Sequence, residues 1–263
     1  MGAFSSGNDP RPRVPQEILG RIIDEAQSDK LTLKSCSLAS SALVAPSRKR
    51  LFGRVYFSEE NKVRYEDFYH LALTNPQLLT YVRELCVDGL VHIRPERTNL
   101  PTVLKLFTNL QSLSLIAGGY GMSWDLLGLQ LQATLLNLIR STPLTHVDVD
   151  IVSWPLNSFF YCHQLRELVV PFPAFKVPLI PRNVELISRK VGFHVLQIGG
   201  SVHEFCSSFG AAHPDLRKLT ICCWSVPETT IFQTILQSAA NSLEELRILH
   251  THILINRRAF PFP

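Results

Sequence analysis

The sequence predicts an α/β protein: a small N-terminal three-helix unit followed by an irregular solenoid of repeats with a parallel sheet. Three observations carry this. First, an apolar triplet at positions i, i+3 and i+5 recurs seven times: Val82-Leu85-Val87, Leu110-Leu113-Leu115, Leu144-Val147-Val149, Leu165-Leu168-Val170, Phe193-Leu196-Ile198, Leu216-Leu219-Ile221 and Leu243-Leu246-Ile248. By subtraction, their first residues lie 28, 34, 21, 28, 23 and 27 positions apart. Second, polar turns such as Thr108-Asn109, Cys162-His163-Gln164, His213-Pro214-Asp215 and Asn241-Ser242 precede most of them. Third, apolar segments of helical length precede the first triplet and separate several of the others.

Residues 1–12 are Gly, Ser, Asn, Asp, Pro and Arg with one notable apolar side chain, Phe4, and read as a disordered tail. Met1-Gly2-Ala3-Phe4-Ser5-Ser6 also fits the permissive N-myristoylation pattern. Structure is expected from Val14-Pro15-Gln16-Glu17, with Pro15 suited to a first helical position and Glu17 to the positive end of a helix. Ile18, Leu19, Ile22, Ile23 and Ala26 then form one apolar helix face. Ser28-Asp29 predicts an N-cap for a second helix through Leu31, Leu33, Cys36, Leu38, Ala39, Ala42 and Leu43. Pro46 opens a third short segment ending at Leu51-Phe52, and Val55-Tyr56-Phe57 reads as a strand. The unit spans residues 13–57, near the lower limit for independent stability. Residues 58–80 are expected to hold a connecting helix ended by Asn75-Pro76.

From residue 81 to 263 the repeats take over. A recurring L-x-x-L-x-L every 20 to 30 residues is the signature of leucine-rich repeats, one strand per coil. Returns are expected at Pro101–Phe107, Asp125–Arg140 and Thr229–Ala240. Strand, return, strand at this spacing forces neighbouring strands to run parallel. No coil buries its apolar residues alone, whereas stacked coils share one core. The Asn that often closes each turn of regular repeats is absent, so those backbone groups need other partners. The short segment after Ile248, ending Phe260-Pro261-Phe262-Pro263, makes a poor polar cap, which points to a truncated product.

The stretch Val14-Pro15-Gln16-Glu17-Ile18-Leu19-Gly20-Arg21-Ile22-Ile23-Asp24 resembles the opening of an F-box, usually L-P-x-E-[IL]-[IL]-x-x-I. Leu31 to Ala39 is similar to its second half, and Ser47-Arg48-Lys49-Arg50-Leu51-Phe52 to its closing segment in the large mushroom-type fungal F-box families, which join an F-box to irregular leucine-rich repeats. Leu43 stands where the family usually has an aromatic, Ser41 where it has a basic residue, and Val14 where Leu is commoner. The resemblance implies a substrate-recognition subunit of an SCF-type cullin–RING ubiquitin ligase. The F-box would dock on the Skp-family adaptor through Val14, Pro15, Ile18, Leu19, Ile22, Leu38 and Leu43, and the repeats would hold a substrate protein. The alternative is a leucine-rich-repeat interaction scaffold whose degenerate F-box no longer binds the adaptor. A third class, a cysteine- or metal-dependent hydrolase, would need a Cys/His/Asp cluster that no spacing here predicts.

Little else in the sequence points to chemistry. No G-x-x-x-x-G-K-[ST], G-x-S-x-G or H-E-x-x-H occurs, and Gly118-Gly119-Tyr120-Gly121 reads as a turn. His250-Thr251-His252 offers two rings on one strand side but no third ligand, so no metal and no cofactor is expected. The chain is 46% hydrophobic and 18% charged, which argues for a globular fold. Its net charge of +4 is too weak to imply nucleic acid, and Arg48-Lys49-Arg50 and Arg257-Arg258 read as solvated runs. Trp124, Trp154 and Trp224 follow strand triplets and could line a rim, with packing under the loops the preferred reading. Cys36, Cys86, Cys162, Cys206, Cys222 and Cys223 form no C-x-x-C, as expected of reduced thiols in a cytoplasmic or nuclear protein. No run of eighteen apolar residues exists, so no membrane partner is expected.

Overall fold

The computed structural model describes residues 14–58, 63–90, 99–118, 122–155, 158–159, 162–170, 193–199, 214–223 and 229–250. The chain divides into two compact units that meet in sequence at Gly53/Arg54. Residues 1–12, His252, Arg257-Arg258, Trp224 and Gly119–Gly121 lie outside the described residues.

The first unit is three helices: α1 (Gln16–Glu25), α2 (Lys30–Ala39) and α3 (Ser41–Phe52). The cap expected at Asp29 is present, its carboxylate accepting from the Leu31 and Thr32 amides and the Thr32 hydroxyl. The second helix is shorter than the apolar pattern implied. Ser40 turns extended, with φ −156° and ψ 140°, and its hydroxyl accepts from the Ala42 amide, so a new helix starts at Ser41 and carries Leu43. The competing local hydrogen bond of a serine ends one helix and caps the next. Pro46 falls inside α3, in its second turn, rather than opening it. α1 and α2 both pack on α3. The fully buried side chains of this unit are Ile23, Leu33 and Ser47, and the Arg50 guanidinium on α3 pairs with Asp24 on α1.

The second unit is built on a parallel sheet. Its strands are β1 (Arg54–Phe57), β2 (Glu84–Asp88), β3 (Ser112–Ile116), β4 (Met122–Ser123), β5 (His146–Val152), β6 (Glu167–Val170), β7 (Val195–Gly199), β8 (Lys218–Cys223) and β9 (Glu245–His250). Their spatial order is their sequence order, except that the two-residue β4 pairs beside β5. The register follows the apolar triplets: Leu85 lies beside Leu113, Leu113 beside Val147, Val147 beside Leu168, Leu168 beside Leu196, Leu196 beside Leu219 and Leu219 beside Leu246. The strand offsets therefore equal the triplet spacings, because a slip of one residue would turn every apolar side chain outward.

β1 revises the expected boundary at residue 57. It pairs with β2, Val55 beside Leu85 and Phe57 beside Val87, and so belongs to the sheet unit. Burying two apolar side chains on an existing sheet is worth more than leaving a lone strand on a small helical unit. The helix expected as a connector, α4 (Val63–Thr74), is the return between β1 and β2.

Further returns are α5 (Leu100–Leu104), α6 (Leu129–Ser141) and α7 (Thr229–Ser238). Their inward residues, among them Val103, Leu104, Leu131, Leu135, Ile139 and Ile235, join one continuous core with the strand residues. The return expected over Asp125–Arg140 is two pieces, a 3-10 turn at Trp124–Leu126 and then α6. Gln132 explains the break: its side-chain amide donates to the Trp124 and Leu127 carbonyls.

At strand entry the backbone repeats one hydrogen-bond pattern. Before six strands one carbonyl accepts two consecutive amides that lead into the neighbouring strand: Arg83 from Gln111 and Ser112, Gln111 from Thr145 and His146, Thr145 from Arg166 and Glu167, Arg166 from His194 and Val195, His194 from Arg217 and Lys218, and Arg217 from Glu244 and Glu245. At strand exit, left-handed residues turn the chain: Gly89 (φ 75°) after β2, Gly118 (φ 71°) after β3 and Ser153 (φ 61°) after β5.

Candidate interaction surfaces

On the helical unit, the residues expected to face a partner separate into two groups. Val14, Ile18 and Ile22, spaced by four along the start of the chain and α1, stand exposed, as does Pro15. Leu38 on α2 is 87% exposed. Leu19 and Leu43 are half-buried, facing partly into the unit. α1 therefore carries two apolar sides. Ile23 is buried, with Leu19 and Ala26 half-buried, and the stripe Val14–Ile18–Ile22 is bare. A helix in a small globular unit turns its apolar side to the core, so a second bare stripe is a candidate interaction surface. The sequence reading passed over Leu31, which is 73% exposed one heptad before Leu38 on α2. The i, i+7 spacing of the two leucines, opposite the buried Leu33, was the available signal.

On the sheet unit, β2, β3, β5 and β6 alternate strictly between buried and half-buried residues. Wholly parallel sheets are usually covered on both faces and read as continuous apolar runs. This one has a single fully buried apolar face, and its other face carries half-buried, mostly polar side chains. Along adjacent strands that face presents Arg54, Glu84, Ser112, His146 and Glu167 in one row and Tyr56, Cys86, Ser114 and Asp148 in the next. The Arg54 guanidinium pairs with Glu84, and the Tyr56 hydroxyl donates to Asp88 at 2.8 Å. His146 Nδ1 lies 2.7 Å from the Glu167 carboxylate.

In the second row Cys86, Ser114 and Asp148 are ladder neighbours across three strands. Burial pushes the Asp148 carboxyl above its ordinary range, opposed by His146 and by the Ser114 hydrogen bond. Burial also pushes the Cys86 thiol up to about 11, helped by Asp88 and Asp148 and opposed by Ser114 and Arg54. A thiol so disfavoured as thiolate is a poor nucleophile at neutral pH. This half of the face carries Glu84, Asp88, Asp148, Asp150 and Glu167 against Arg54, on a chain whose net charge is +4. The half on β8 and β9 carries Lys218, Glu245 and Arg247, tied together by ion pairs.

Trp124 and Trp154 pack, as the preferred reading of them expected, and Trp224 lies outside the described residues. Trp124 and Trp154 meet edge to face at 4.5 Å between centroids, Trp154 also stacks on Phe159, and its Nε1 donates to the Ser158 hydroxyl at 2.9 Å. Cys162 is buried, its thiol pushed up to about 12 by burial. Cys36 and Cys86 are free thiols as well. Among the described residues no group of three His, Cys, Asp or Glu side chains could hold a metal ion, and no helix is long and apolar enough to cross a membrane. No protein family, no curated protein and no solved structure matches this chain.

Proposed function

We propose that this chain is a substrate-recognition subunit of an SCF-type cullin–RING ubiquitin ligase, without catalysis of its own. Its first unit is an F-box-like domain that docks on a Skp-family adaptor. Its second is an irregular leucine-rich-repeat solenoid that holds a substrate protein on the polar face of its sheet. The observation that carries the reading is the bare apolar surface of the helical unit. Val14, Ile18, Ile22 and Leu38 match the F-box pattern at adaptor-docking positions and are exposed where a solitary domain would hide them. Apolar anchors of this kind dominate interface energies once a partner excludes water from them. The solenoid reading is supported by the sequential order of parallel strands and by strand offsets equal to the repeat spacing. The work would be done inside the cell, in cytoplasm or nucleus, where the ligase machinery resides.

Leu43 favours a second reading, a repeat scaffold without an adaptor. It stands where the family carries an aromatic, and it is half-buried on α3, so it offers less surface to a partner. Co-expression of the full chain with a tagged Skp-family adaptor separates the two. Wild type is expected to co-purify in stoichiometric amount. An Ile18→Lys, Ile22→Lys variant, exposed at both sites and therefore still folded by circular dichroism, is expected to lose the adaptor. A soluble, folded wild-type chain that leaves the adaptor behind would reject the ligase reading in favour of the scaffold.

A further inference from the structure

The last strand differs from all those before it. Leu216, Leu219 and Ile221 of β8 and the segment leading into it are fully buried, as are the corresponding triplets of earlier coils. Their neighbours across the ladder are not: Leu246 is 42% and Ile248 55% exposed, and Leu243 is half-buried. Phe232 and Leu236 of α7, in the return that leads into β9, are also only half-buried. Among the described residues β9 pairs with β8 alone, so its outer edge offers a row of backbone donors and acceptors. Among the described residues the core thus ends in a half-covered layer beside a strand that pairs on one side.

We infer that this edge is a dimerisation surface, on which β9 of a second copy of the same chain pairs antiparallel, centred on Arg247. Directly opposite residues of an antiparallel pair share a face, so the two-fold axis must pass through a residue rather than between two. Centred on Arg247, it sets Leu246 of each copy against Ile248 of the other, and the two bare apolar residues of each strand cover their counterparts. Centred on Ile248, it would set Leu246 against His250. On the polar face the charges also match. Arg247 of one copy lies diagonal to Glu245 of the other, and the reverse, within reach of long side chains. The two arginines that meet at the axis each already pair with their own Glu245. The two-fold closes both edges at once, whereas a strand added in parallel would expose a new edge and grow a filament.

Sedimentation velocity of the full chain across a wide concentration range reads this directly. A reversible dimer is expected, weakened about tenfold or more by Ile248→Lys. Arg247→Cys reads the register. The introduced thiols would face each other at the Cα separation a disulfide accepts, so mild oxidation should give a covalent dimer whose linked peptides contain that position. Glu245→Cys, with its copies roughly 14 Å apart along the strands, should not cross-link. A monomer at every concentration, with β9 amides protected from exchange, would overturn the inference in favour of coverage by residues 251–263. A dimer indifferent to Ile248→Lys, or cross-linked equally from position 245, would overturn it as well.

Discussion

Leu219 and Leu246 occupy the same position of adjacent repeats and lie side by side in the ladder, yet one is fully buried and the other 42% exposed. Truncating each to Ala tests whether the apolar triplets share one core that covers Leu219 more fully than Leu246. Leu→Ala removes three carbon groups, about 2.4 kcal/mol of transfer free energy when fully buried. At Leu219 a cavity adds to this, because neighbours on both sides hold the site open, and the expected cost is about 3–4 kcal/mol. At Leu246 just over half of the residue is covered, which scales the transfer contribution to about 1.4 kcal/mol. The site opens to solvent, so no cavity contribution is added. The expected gap between the variants is about 2 kcal/mol, large against a total stability of roughly 5–15 kcal/mol. Urea denaturation followed by far-ultraviolet circular dichroism measures it, at concentrations low enough for the chain to be monomeric. Equal costs at the two positions would refute the reasoning, since Leu246 would then be packed as tightly as Leu219.

Four further outcomes follow from single sites. Gly118→Ala should destabilise the sheet unit by about 2 kcal/mol, as a Cβ there would stand 2.7 Å from the Gly89 Cα at φ 71°. Gly20→Ala, with nothing within 4 Å on the α1 surface, should instead raise stability by about 0.5–1 kcal/mol in the same urea assay. Ser47→Ala should stabilise by about 1 kcal/mol, since the buried Ser47 hydroxyl has no hydrogen-bond partner and Ala is the better helix former. Asp148→Asn should raise the melting temperature at neutral pH. Burial raises the folded pKa of Asp148 above the ordinary carboxyl range, so folding favours its protonated form. The wild type regains that stability as pH falls through the folded pKa, fully so below the unfolded one, and loses it as pH rises. The advantage of Asp148→Asn in thermal melts should therefore shrink toward pH 4, and an advantage independent of pH would reject this account.

Much of this molecule was legible in its sequence. The i, i+3, i+5 triplets contain the register of seven strands, because a pleated strand sends alternate side chains to opposite faces and only one alignment stacks all the apolar ones together. The caps were legible where a side chain acts on its own backbone, as at Asp29, and could be missed for the same reason. Ser40 bonds Ala42 in preference to continuing a helix whose apolar pattern runs on through Leu43. The apolar stripe of α1 showed that the helix packs. Its two sides, Ile23 inward and Val14–Ile18–Ile22 outward, depend on where α3 lies, which no periodicity within α1 records.

The sequence by itself determined which side chains of each strand are apolar and how far apart the strands begin, since both are written in local spacing. Tertiary structure alone decided what each element packs against. It drew β1 into the sheet because an open strand edge lay beside Val55 and Phe57. It turned Trp124 and Trp154 toward each other under the loops. It half-buried the row of Cys86, Ser114 and Asp148 that the shared register sets across three strands, and so raised the Asp148 carboxyl above its ordinary range. And it left Leu246 and Ile248 bare while burying the same positions in the repeats before them. The physical reason is common to all four. Burial depends on the neighbours a residue acquires in space, and spacing along the chain does not record them.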